Sequence, residues 1–193
     1  MMSRNALLVV DVQNDFCPGG ALGVPNGDQV VAPINKLISH IDLATWTVLF
    51  SRDWHPEHTE HFGKWPPHCI QGTPGAEFHP GLLRPLGSKI ISKGYGARDD
   101  GYSLFDGVYV RKSDWPLSPE VLLHGCERVL LCGLATDFCV KATALDAVKK
   151  GFETVLIVDA CRGVNLHPGD DLKAIREMFD AGVTISSTGN ILR

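Results

Sequence analysis

Short apolar runs alternate with longer segments of helical spacing along this chain. Residues 6–13 form a β-branched apolar run without polar alternation, as expected of a central parallel strand covered on both faces, with Asp11 at its carboxyl end. Gly and Pro punctuation over 14–20 predicts a loop, after which Val30, Val31, Ile34, Leu37, Ile38 and Ile41 recur at helical spacing. Further strands are predicted over 46–51, 89–94, 129–132, 154–159 and 183–186. Helices are predicted over 119–124, from Thr136 or Asp137 to Lys150, and over 170–180. Gly133 reads as a tight turn and Thr136 or Asp137 as an N-cap, which puts Cys139 in the first turn of its helix.

The segments 56–86 and 95–117 lack periodicity, apart from a helical turn near 103–105. Phe62, Trp65 and Phe78 argue that the first of them is ordered, and long ordered loops usually carry function. Repeated β-then-α order predicts an α/β fold, with helices on both faces of a mostly parallel sheet, a three-layer α/β/α arrangement. Ligands of such sheets bind outside the carboxyl ends of the strands. Asp11, Asp53, Lys93 and the loop before Cys139 all fall at such ends.

Composition narrows the classes. A length of 193 residues with 44% hydrophobic content suits one domain over 1–193. The formal charge of −4 and the absence of a basic stripe argue against a nucleic-acid partner. No run is long enough to span a bilayer and no cleavable leader stands out, so the expectation is a cytoplasmic protein without a membrane partner. The six cysteines (Cys17, Cys69, Cys126, Cys132, Cys139, Cys161) are scattered without a C-x-x-C pair, which predicts reduced thiols and neither a disulfide framework nor a zinc ribbon. The oligomeric state is left open, a homo-oligomer being compatible with the pattern.

The polar residues at the strand ends suggest two kinds of chemistry. A cysteine at a helix N-terminus can act as a nucleophile, with Asp11 as its candidate base and Lys93 as a positive charge favouring thiolate. The competing reading makes Cys139 a small buried residue. Asp53 and His55, two apart in an extended segment, point to the same side, and His61 and His68 follow in the same loop. Carboxylate and imidazole ligands suit zinc, iron or manganese, whereas a solvated histidine-rich loop would explain the same residues without a metal.

The motifs Asp11-Val12-Gln13-Asn14-Asp15-Phe16, Ser51-Arg52-Asp53-Trp54-His55-Pro56, Trp65-Pro66-Pro67-His68-Cys69-Ile70-Gln71-Gly72-Thr73, Lys93-Gly94 and Gly133-Leu134-Ala135-Thr136-Asp137-Phe138-Cys139-Val140 occur in this order. In these the chain resembles the nicotinamidases, also called pyrazinamidases, of the isochorismatase-like cysteine hydrolases. The resemblance implies a six-stranded parallel sheet flanked by helices and a catalytic triad of Asp11, Lys93 and Cys139. It also implies one divalent metal, zinc before iron or manganese, on Asp53, His55 and His68, with His61 as a second-tier ligand and His58 as a surface residue. Phe16 and Trp65 would flank a pyridine ring, the backbone N–H groups of Ala135 and Cys139 would form an oxyanion hole, and the Leu134–Ala135 peptide would be cis. The implied reaction is hydrolysis of nicotinamide, a small-molecule substrate, to nicotinic acid and ammonia through a cysteine thioester, with pyrazinamide also accepted. The rival readings are a related hydrolase acting on another amide, carbamoyl group or vinyl ether without the metal loop, and a non-catalytic metal- or ligand-binding α/β domain in which Cys139 is structural.

Overall fold

The computed structural model describes residues 4–110 and 115–193. In chain order it contains β1 (Arg4–Val10), α1 (Val31–His40), β2 (Trp46–Asp53), β3 (Lys89–Lys93) and β4 (Val108–Tyr109). These are followed by α2 (Pro119–Leu122), β5 (Cys126–Leu134), α3 (Lys141–Lys149), β6 (Glu153–Arg162), α4 (Asp170–Asp180), β7 (Thr184–Ser186) and α5 (Thr188–Ile191). The strands form one sheet in the order β4-β3-β2-β1-β5-β6-β7, parallel throughout except for the antiparallel β3–β4 pair.

Among the described residues the expected six strands are therefore seven. The extra one, Val108–Tyr109, is a two-residue edge strand, too short to leave a period in the sequence. Leu117, which faces Tyr109 in an isolated bridge, pairs with its outer side.

Chain direction sets the layers. The crossover β1–α1–β2 runs one way along the sheet, while β5–α3–β6 and β6–α4–β7 run the other way. Right-handed crossovers then place α1 on one face and α3 and α4 on the opposite face, and α5 packs with α1. Ala6 to Val10 are wholly buried, as the unbroken apolar run requires of a strand covered on both faces. The direction reverses between β1 and β5, so the crevice for a ligand opens at the carboxyl ends of those two strands.

Gly133 is not a turn. It continues β5, paired with Val10 on one side and Cys161 on the other. Its φ is +120°, and a Cβ there would lie 2.0 Å from the Val10 carbonyl oxygen, so the residue serves close strand approach. The N-cap expectation is also corrected. Ala135 occupies that position ahead of a π-turn over Thr136–Val140 that runs into α3. The Asp137 carboxylate instead accepts the backbone N–H groups of Val164 (2.9 Å) and Asn165 (2.7 Å), tying the loop after β6 to this turn.

Candidate active site

Four strand ends deliver the polar side chains to one place. Asp11 follows β1, Asp53 closes β2, Lys93 closes β3, and Cys139 sits in the turn after β5. Lys93 is fully buried, and its ammonium group lies 2.8 Å from Asp11 Oδ2 and 3.5 Å from Cys139 Sγ; it also pairs with Asp53 Oδ1 and donates to the Gly101 carbonyl at 2.6 Å. A buried ammonium needs such a cage, because desolvation penalises the charge unless it is paired. The Ser51 hydroxyl donates to Asp11 Oδ1 at 2.7 Å.

These contacts set the proton inventory. Burial pushes the Asp11 carboxyl up to about 6, against the opposing pull of Lys93. Burial likewise holds the Cys139 thiol well above its ordinary range, with Lys93 opposing and Asp11 and Asp53 adding to the rise. The cysteine therefore rests as a thiol beside a carboxylate acceptor. Thiolate stabilisation by the helix terminus and Lys93, expected from the sequence, is outweighed by desolvation. For Lys93, burial lowers the affinity for its proton, but Asp11 and Asp53 outweigh it and hold the group well above the usual lysine range.

Beside this cluster the nitrogens of His55, His61 and His68 lie within 4.8 Å of one another, all three residues being buried. Asp53 Oδ2 is 3.7 Å from His55 Nε2 and 3.7 Å from His68 Nε2. That is too long for a hydrogen bond and close to the separation of about 3.4 Å expected between ligands sharing a tetrahedral ion. His68 Nδ1 donates to the Pro66 carbonyl at 2.7 Å, leaving Nε2 with the lone pair. Both ring nitrogens of His55 are buried without a hydrogen-bond partner, and a bound cation would satisfy the one that carries the lone pair. These donors fit a divalent metal. Gly94, with φ +61°, supplies the space for His55, since a Cβ there would lie 2.2 Å from His55 Cε1. His58, expected at the surface, is exposed.

A pocket of about 400 Å³, measured out to its mouth, opens over Cys139, His61 and His68 and is lined by Phe16, Trp65 and Ala135 among others. The Leu134–Ala135 peptide before Cys139 is cis. Two lining aromatics escaped the sequence reading. Tyr102 accepts the Trp65 indole N–H at 2.9 Å, and Phe138 meets Trp65 edge-on at 5.0 Å between ring centroids. Phe138 adjoins Cys139 and so carried a positional hint, whereas Tyr102 lies in an aperiodic loop. Gln13 also escaped notice: its Oε1 accepts the Asp53 N–H at 2.8 Å, and its Nε2 donates to the Asp53 and Ala76 carbonyls, both at 2.8 Å. This buried amide fixes the end of β2 where the Asp53 carboxylate must point.

Comparison with known families decides the relationship, since the Isochorismatase domain matches residues 5–190. The chain belongs to the isochorismatase family. Among isochorismatase-family relatives, the nicotinamidase of Escherichia coli K12 is 38% identical over 204 residues, covering 95% of each chain. The pyrazinamidase of Pyrococcus horikoshii, solved in complex with zinc, is 40% identical with a TM-score of 0.82, covering 95% of this chain and 99% of its own. PnC1 from L. infantum, solved in complex with nicotinate, is 36% identical with a TM-score of 0.83, covering 97% of this chain and 94% of its own. No helix among the described residues of this isochorismatase-family chain is long and apolar enough to cross a membrane.

Proposed function

We propose that residues 1–193 act as one hydrolase domain, a metal-dependent nicotinamidase that converts nicotinamide to nicotinic acid and ammonia and also deamidates pyrazinamide. The observation that carries the reading is the buried Asp11–Lys93–Cys139 cluster, whose cysteine lines an aromatic-lined pocket, next to the convergent side chains of Asp53, His55, His61 and His68. The similarity to nicotinamidases and a pyrazinamidase over nearly the whole chain supports the substrate class. A cytoplasmic location suits this role in pyridine nucleotide salvage.

In this mechanism Phe16 and Trp65 enclose the flat ring and direct the carboxamide toward Cys139. Asp11 takes the thiol proton as Sγ attacks the carbonyl carbon, and the N–H groups of Ala135 and Cys139 receive the developing oxyanion. Asp11 then returns the proton to the amide nitrogen, the C–N bond breaks, and ammonia leaves a thioester on Cys139. In the second half Asp11 takes a proton from the attacking water and gives it back to the departing Sγ, releasing nicotinic acid. Lys93 holds the charge of the Asp11 carboxylate in place throughout. Asp53, His55 and His68, with His61, would hold a divalent ion, zinc being the first candidate, which when bound supplies Lewis acidity toward a ring nitrogen and toward water.

A substrate panel tests the reading. Metal-loaded protein should release ammonia from nicotinamide and pyrazinamide and turn over a short aliphatic amide at least about 100-fold less efficiently, since burial of a ring is worth a few kcal/mol. Trp65→Ala should raise KM for the aromatic amides and narrow that gap. Equal turnover of the aliphatic amide by the unaltered protein would overturn the proposed pocket.

The pH dependence follows from Asp11. It acts ionised, and its carboxyl lies at about 6. Protonation below that value removes the base, so kcat/KM should fall about tenfold per pH unit there and level off above. Elemental analysis at each pH separates this limb from loss of the ion, with which protons compete for the imidazole nitrogens. A flat profile at constant metal content would remove Asp11 from the base role.

A further inference from the structure

We propose that Asp100 is a positioning residue of the metal centre, one that accepts the His61 Nδ1–H and thereby holds the opposite nitrogen toward His55 and His68. The inference rests on the metal reading above and adds to it a carboxylate outside the four candidate ligands.

His61 Nδ1 lies 2.9 Å from Asp100 Oδ1. A carboxylate can only accept, so Nδ1 carries the hydrogen, and in the neutral ring Nε2 carries the lone pair. That tautomer leaves Nε2 as the one donor nitrogen His61 can offer the cluster it forms with His55 and His68. The His61 ring is buried and stacks on His55 at 4.4 Å between centroids, so it has little freedom to swing.

The backbone holds the two partners in register. The Thr59 hydroxyl accepts the His61 N–H at 3.2 Å and donates to the Ala97 carbonyl at 3.0 Å, and the Glu60 N–H donates to the same carbonyl at 2.8 Å. The loop bearing His61 is thus laced to the loop bearing Asp100. The other Asp100 oxygen, Oδ2, accepts from the Lys64 ammonium at 2.5 Å, which orients the carboxylate. Asp100 also borders the pocket. Carboxylates that orient ligating histidines in this way commonly govern metal affinity about as strongly as a weak ligand does.

The test is cobalt(II) binding, measured by competition with a chromophoric chelator, with thermal midpoints recorded for every variant. Asp100→Ala should weaken cobalt binding by about 10–100-fold. Asp100→Asn should weaken it less, because its amide oxygen accepts the same hydrogen bond. If alanine unfolds the protein, Asp100→Leu keeps the volume and removes the acceptor. In a His61→Ala background, Asp100→Ala should change the remaining affinity by less than about twofold, since its route to the ion is gone. Equal cobalt affinity in the unaltered and Asp100→Ala proteins would overturn the proposal while leaving the metal reading intact. So would an undiminished Asp100→Ala effect in the His61→Ala background. Failure of the unaltered protein to bind cobalt would overturn the metal reading and this proposal together.

Discussion

Cys139→Ala is expected to lower kcat for nicotinamide by at least about 10⁴-fold, the scale on which removal of a covalent nucleophile is felt. The thermal midpoint should stay close to that of the unaltered protein, because losing one sulfur atom from a 7% exposed site leaves the sheet and its crossovers in place. Cys139→Ser should recover little. A hydroxyl is far less acidic than a thiol, so Asp11, with its carboxyl at about 6, is a still weaker base toward serine. Cys132 offers a control within the same strand–turn unit. It is fully buried in β5 with its thiol 3.7 Å from the Leu8 carbonyl, and burial holds that thiol well above its ordinary range. Appreciable turnover by Cys139→Ala, or labelling of Cys132 in its place, would remove the nucleophile from this account.

Lys93→Met is expected to be costly for stability as well as for activity. The ammonium sits between Asp11 and Asp53, and its removal leaves two carboxylates facing each other without solvent or counter-charge. Leaving buried charge uncompensated costs about 3–5 kcal/mol. In a chain of this length that corresponds to a fall in Tm of roughly 10 °C. The Asp11 carboxyl would move further upward without its cation, so the base would be protonated near neutrality and kcat should fall by about 10³-fold. Thermal denaturation of chelator-treated protein checks the first effect without a compensating ion. A midpoint unchanged by the substitution would mean that Lys93 is not the charge that holds the cluster together.

Much of this arrangement was legible in the sequence because strand ends are easy to read. Unbroken apolar runs mark parallel strands, and the polar residue that stops each run is where the sheet presents chemistry. Asp11, Asp53 and Lys93 were found in that way, and the turn that follows β5 carries Cys139. The order of elements was sufficient for the doubly covered sheet. What escaped depends on contacts distant in sequence. Gly133 resembles a turn until its neighbour Val10 is in place, because only the paired strand shows why a side chain is excluded. Asp137 has the composition of an N-cap, yet tertiary structure recruits it to the backbone of Val164 and Asn165. Tyr102 and Asp100 lie in a loop without period, and their partners Trp65 and His61 are 37 and 39 residues away. Motif resemblance supplied the roles of the histidines; spacing alone left them as a set of donors in one irregular segment.

Asp53 joins the cysteine cluster to the histidine cluster, contacting Lys93 and facing His55 and His68. The most direct measurement is the release of ammonia and nicotinic acid from nicotinamide by the protein as purified, after exhaustive chelation, and after a divalent ion is returned, with metal content determined in each state. The predicted result is equimolar products from the loaded protein, loss of turnover on chelation with the fold retained, and recovery with the ion. Fully loaded, folded protein that releases neither product would contradict the account.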